Sequence, residues 1–181
     1  GFSFLFTKTA ITLPGPLDTL AFRFTISFFV ISLFVIFKFT KIDLSFHALK
    51  RLAPIGLFYP IIFFSSQAFG LNYSQSSEAG ILFASTPILT TILASFFLKE
   101  STTLKQKFYI LLSVFGVVFI FIMKGGSLEV GNVIGITLLM ISCLSIAGYS
   151  VMARSLTKQF KPINITYFML GFGFLFFNGF A

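Results

Sequence analysis

Between Glu78 and Lys99 the chain reads AGILFASTPILTTILASFFL, residues Ala79–Leu98, without one charged side chain. A helix needs about 20 apolar residues to cross the hydrocarbon of a bilayer. Within the run Gly80, Ala84, Pro87, Thr91 and Ser95 recur at spacings of four, three, four and four, which places them on one face of a helix. An acid stands before the run and a lysine after it. The segment over about 77–98 therefore reads as a membrane span.

Outward from this run, six more apolar segments are bounded by charge, Pro or Gly, at about 1–12, 18–37, 52–74, 106–123, 131–153 and 162–181. The gaps are short, so successive spans are antiparallel neighbours in a helical bundle. A β-barrel is excluded, because its strands would alternate apolar and polar residues over about ten positions. The expected fold is an all-α polytopic membrane protein with about six spans plus part of a first one. The chain opens on Gly1, and only its first apolar stretch precedes the turn at Leu13-Pro14-Gly15-Pro16. That stretch is too short to span and lacks the basic flank and cleavage site of a signal peptide. The other end stops inside an apolar run at Phe180-Ala181. Both features predict a fragment.

Composition agrees. The 181 residues are 56% hydrophobic and 10% charged, against about 25% charged in soluble domains. Net charge is +8, yet nucleic-acid binding would need the basic residues on one folded face. Here they alternate between gaps. Lys38, Lys41, Lys50 and Arg51 occupy one, Lys99, Lys105 and Lys107 a second, Arg154, Lys158 and Lys161 a third. The intervening gaps hold Lys124 with Asp18, Glu78 and Glu129. This is the positive-inside bias. It assigns the 38–51, 99–107 and 154–161 loops to the cytoplasm and the 13–18, 74–78 and 124–130 loops to the outside of a cell membrane. The basic loops suit anionic lipid headgroups. Cys143 lies alone in an apolar run and His47 among basic loop residues, so neither a disulfide, a metal site nor a catalytic base is expected, and no cofactor. With 29 Phe and no Trp, Phe and Tyr must form any interfacial aromatic belt.

Gly1-Phe2-Ser3, Lys8 and Pro16 are echoed by Gly148-Tyr149-Ser150, Arg154 and Pro162. The echo implies a repeat that starts in the first span and again in the sixth. Five spans per copy is an odd number, so the copies lie in the membrane with opposite orientation, the plan of many secondary transporters.

The stretch Ala68-Phe69-Gly70-Leu71-Asn72-Tyr73 through Glu78-Ala79-Gly80-Ile81-Leu82, then Pro87-Ile88-Leu89, then Lys99-Glu100, Thr103 and Gln106, resembles the EamA family of the drug/metabolite transporter superfamily. Gly1 to Lys8 is similar to that family's first helix, Arg23-Phe24 to its second, and Gly116-Val117-Val118 to the close of its repeat; Tyr109 stands where the family commonly has Gly. The resemblance implies a ten-helix carrier built from inverted five-helix repeats, with 1–123 as the first EamA repeat and 131–181 as the start of the second.

Polar residues inside spans find no partners in hydrocarbon and so carry the site argument. In the third span Tyr59, Ser66 and Tyr73 follow one face with Gln67 beside it; in the sixth, Ser142, Ser145 and Tyr149 do so. Such faces suit either a pocket for a small amphipathic solute or hydrogen bonds between helices. Pro87 and Thr91 lie on a face suited to tight packing or to gating, Pro87 being a plausible pivot. Gly131 and Gly135 at a spacing of four suit close packing. Lys8 and Arg23 either snorkel to the outer headgroups or line an outer vestibule. Ser3 joins the tentative pathway through the resemblance. Glu78 fits the first turn of a helix begun near Ser76 and Ser77, and Glu100 fits an ion pair with Lys99 or Lys105.

The expected function is secondary transport of a small metabolite or drug-like solute by alternating access, in the efflux direction, with amino acids among the candidate solutes. The partners are then that solute and the bilayer, and not nucleic acid; oligomeric state is not legible. An intramembrane enzyme would need a nucleophile with a base, or a metal cluster, at membrane depth. A non-transporting scaffold is the remaining alternative, and it would need no repeat.

Overall fold

In the computed structural model the residues described are 7–8, 15–39, 42–43, 45–99, 103–123 and 130–180. They form helices α1 (Pro16–Ile36), α2 (Phe46–Gly56), α3 (Phe63–Tyr73), α4 (Ser76–Ala84), α5 (Thr86–Phe97), α6 (Leu104–Met123), α7 (Val130–Leu156) and α8 (Pro162–Phe180), with no strand among them. Five helical stretches are long and apolar enough to cross a membrane: Pro16–Ile36, Phe46–Tyr73, Ser76–Phe97, Val133–Leu156 and Pro162–Phe180. α6 is a further helix of 20 residues.

Local chemistry sets the boundaries. Pro16 opens α1 after Gly15, whose φ of 90° is open to glycine. At its other end Lys38 takes φ 59° and donates its N–H to Val35 O, while Phe39 donates to Phe34 O. This is a Schellman termination, and the Phe34 and Phe39 rings, 6.0 Å apart, make its apolar contact. Ser45 caps α2 by accepting from Ala48 N at 3.2 Å. The start of α4 is tied by Gln75 N–H donating to Glu78 Oε2 at 2.8 Å, so the cap falls one residue before Ser76. Thr103 and Gln106 cap α6 reciprocally: Thr103 N–H donates to Gln106 Oε1 at 2.8 Å, and Gln106 N–H to Thr103 Oγ1 at 3.3 Å.

These caps correct the expected inner loops. Residues 46–51 of the 38–51 loop are the first turns of α2, residues 104–107 open α6, and 154–156 close α7. Ala48 and Leu52 are buried while Lys50 and Arg51 are exposed, so the helix of the third span opens on an amphipathic turn. His47 therefore stands on a helix, its ring 6.4 Å from that of Phe160. Glu100, Lys41, Lys124 and Glu129 lie outside the described residues.

Two spans are broken. The third passes from α2 to α3 through a wide turn, Leu57–Ile62, in which Tyr59 is extended (φ −138°, ψ 116°) and the Tyr59–Pro60 bond is cis. The fourth breaks at Ser85, two residues before Pro87, which lacks the N–H that would continue the ladder. α7, about 40 Å long at 1.5 Å per residue, is the backbone of the bundle and packs against α3, α4 and α5. α1 packs against α8, and α2 against α8. One core cluster joins Leu20, Ala21 and Phe24 of α1 to Phe63, Phe64 and Ala68 of α3 and Phe177 of α8. A second joins Leu52 and Ile55 to Leu156, Phe160 and Met169. α7 comes closest to the end of α3 at Gly135, where an added Cβ would lie 2.9 Å from Tyr73 C and 3.0 Å from Ser74 N. The Gly131/Gly135 spacing is thus a packing feature at Gly135.

Candidate functional site: the cavity between the third, fourth and sixth spans

At the break in the third span, two hydroxyls of α7 reach across. Ser145 Oγ donates to Phe58 O at 2.7 Å and Ser142 Oγ donates to Phe63 O at 2.8 Å, one on each side of the Tyr59–Pro60 bond. A carbonyl oxygen has two lone pairs, so it can take such a bond besides a helical one. Both serines are buried. Beside them the extended Tyr59 stacks on Tyr149 of α7 with ring centroids 4.6 Å apart. Tyr59 also meets Phe63 and Phe64, each at 5.3 Å. Arg23 of α1 places its Cζ 4.6 Å from the centroid of the Phe64 ring, a cation–π contact.

Next to this aromatic cluster lies a cavity of about 500 Å³. Phe63 forms its wall from the third span; Phe83, Thr86, Pro87, Thr90 and Thr91 line it from the fourth, and Ile146 and Arg154 from α7. The break at Ser85 lets α4 and α5 present Phe83 and Thr86 to one space. Thr90 Oγ1 donates to Thr86 O at 2.9 Å and Thr91 Oγ1 to Pro87 O at 2.8 Å. Their protons are held by their own helix, and the remaining lone pairs are acceptors. Arg154 is the one charged residue of this lining.

Of the residues singled out in sequence, Pro87 and Thr91 line this cavity. Tyr59, Tyr149, Ser142 and Ser145 meet at the adjoining interface of the third and sixth spans, the two serines bonded across it. Gln67 is buried on α3, Ser66 is half-buried, and Tyr73 is exposed at the end of α3. Lys8 donates from Nζ to Ser74 O, which puts a cation at the carbonyl end of α3. Arg23 lies apart from Lys8, over Phe64. Ser3 falls outside the described residues. Sequence reasoning missed Thr86, Thr90 and Arg154. Thr86 and Thr90, four residues apart, form a hydroxyl pair beside the Pro87/Thr91 face, and that signal was legible. In sequence Arg154 reads as a loop residue; only the extra helical turn of α7 brings it to the cavity.

The model of the EamA-like transporter family matches residues 1–122. The chain belongs to that family. It is 45% identical over 181 residues to the uncharacterized transporter YcxC of Bacillus subtilis (strain 168), covering 100% of this chain and 58% of that protein. It is 35% identical over 116 residues to the uncharacterized transporter YetK of the same organism, covering 62% of this chain and 35% of that protein. It is also 25% identical over 166 residues to an uncharacterized transporter of Archaeoglobus fulgidus, covering 92% of this chain and 57% of that protein. The chain thus spans well under two thirds of the length of these relatives. No solved structure matches it. Family and helices together make it a multi-pass membrane protein.

Proposed function

We propose that this EamA-family chain, at its relatives' full length, is a secondary carrier of the cytoplasmic membrane that moves a small amphipathic solute outward by alternating access. The observation that carries the reading is the cavity of about 500 Å³ set where two spans break, with hydroxyls, aromatic rings and one arginine around it. Its size falls in the range of small-molecule sites. Broken helices at membrane depth are what transporter binding sites are made from. By the charge bias the Arg154 end of α7 is the cytoplasmic end, so the cavity would load from inside.

The contact of α1 with α8 supports two inverted repeats. Pro16 and Pro162, each the first residue of its helix, stand 146 residues apart, and so do Phe28 and Phe174. The Phe28 and Phe174 rings stack 5.2 Å apart with planes at 14°. On one side of this pair Phe24 meets Phe177 and Thr25 hydrogen-bonds Asn178; on the other Phe28 meets Tyr167. The helices are therefore antiparallel with equivalent positions facing each other, as expected if a two-fold axis in the membrane plane runs between those two rings.

The test is solute flux in liposomes holding the purified full-length protein, screened over amino acids and toxic metabolites. Accumulation of at least one solute above protein-free liposomes is expected. If none moves in either direction, the carrier reading is lost.

A further inference from the structure

We propose that the face of α1 carrying Phe22, Arg23 and Ile26 seats the eighth span, the helix that follows α8 in a chain of its relatives' length. The seat rests on the inverted-repeat reading and extends it to a surface: the eighth span lies on α1 as α2 lies on α8. This chain covers 58% of YcxC, so a protein of that length has room for further spans.

The argument starts from α8, which uses two faces. One meets α1 through Phe174 and Phe177. The other meets the third span: Ile165 and Met169 share a core cluster with Leu52 and Ile55 of α2, and Phe168 and Phe172 pack against it. The approach is close, since a Cβ added at Gly56 of α2 would lie 2.5 Å from the Phe172 ring. The residues 146 positions before Phe168, Met169 and Phe172 are Phe22, Arg23 and Ile26. On α8 this face is covered, with Met169 2% exposed and both Phe rings half-buried. On α1 it is open, with Phe22 66% and Ile26 64% exposed and Arg23 exposed between them. A two-fold axis that carries α8 onto α1 carries α2 onto this open face. Because α2 belongs to the third span of the first copy, its counterpart is the third span of the second copy, which is the eighth of the chain.

Arg23 argues separately against lipid as the cover. It stands seven residues into α1 from Pro16, about 10 Å along the helix. Its guanidinium lies over the Phe64 ring of α3, turned toward the bundle. Charged side chains at such depth face the bundle interior or a cavity, because hydrocarbon solvates them poorly. Acyl chains on the Phe22 and Ile26 face would lie against this arginine, whereas a helix seated there puts it inside the protein.

The test is disulfide crosslinking in membranes holding the full-length protein. Ile26→Cys and, separately, Phe22→Cys are each combined with single cysteines placed along the eighth span, and copper phenanthroline is added as oxidant; the native Cys143 is buried. Gly56→Cys with Phe172→Cys is the reference for the equivalent contact on α8. Crosslinks within one chain are expected at eighth-span positions three and four residues apart. Their yield should be about tenfold above that of the same cysteines paired with Phe115→Cys of α6, since a disulfide needs Cα atoms within about 7 Å. Equal yields with Phe115→Cys, yields without that spacing, or none with either residue of α1 overturn the seat. So does a dimer formed through Ile26→Cys, which assigns the face to a second copy, and so does a preferred crosslink to the first span. Solute flux measured on the same protein keeps the two readings apart: crosslinks without flux overturn the carrier and leave the seat, and flux without crosslinks does the reverse.

Discussion

Gly135 is the residue at which α7 presses on the backbone of α3 and the turn after it. Its added Cβ would meet backbone atoms of Tyr73 and Ser74 at 2.9 and 3.0 Å, and backbone cannot swing aside as a side chain can. Gly135→Ala should push α7 away from α3 and cost about 1–3 kcal/mol, the range for overpacking a filled site. Gly116→Ala is the control, because nothing lies within 4 Å of its added Cβ. Thermal unfolding in detergent should show a lower Tm for the first and no loss for the second; equal Tm values would remove the close approach. Loss of the Ser145 hydroxyl is a smaller matter, since hydrogen bonds between membrane helices average about 0.6 kcal/mol.

At the scale of elements, the spans were legible because hydrophobic length and charge are local. The sequence reads as a continuous third span over 52–74, with Tyr59 on a straight helical face with Ser66 and Tyr73. Pro60 was a visible warning. What the sequence could not show is that α7 supplies bonds to Phe58 O and Phe63 O from 87 and 79 residues away. The same limit applies to the cavity: Pro87 and Thr91 were visible on one span, but the wall facing them belongs to another. The Thr103/Gln106 pair, read only as part of a family pattern, has a local physical role as the cap of α6. Thr103→Ala should cost about 1 kcal/mol and speed amide hydrogen exchange in the first turn of α6, with α7 unchanged. Unaltered exchange there would deny the cap its role.

For the whole molecule, orientation is the property most open to test. The charge bias puts Lys158 inside and Ser77 outside, and both are exposed. The native Cys143 is buried and should stay silent. In intact cells a membrane-impermeant thiol reagent should label Ser77→Cys and spare Lys158→Cys until the membrane is permeabilised. The opposite pattern would invert every span and turn the Arg154 mouth of the cavity outward.

The two breaks in the bundle are not mechanically alike. In the third span Ser142 and Ser145 bond to carbonyls on both sides of the Tyr59–Pro60 bond, so α7 acts as a splint across it. At Ser85 the described bonds stay within the fourth span: Ser85 Oγ and Ser85 N–H both go to Leu82 O. A stress along the membrane normal is therefore shared by the third span and its splint, while at Ser85 the fourth span relies on its own backbone bonds and on the packing of α4 and α5 against α7. The break bonded by side chains of another helix is the one built with aromatic rings, and the break bonded within its own span is the one that opens onto the cavity.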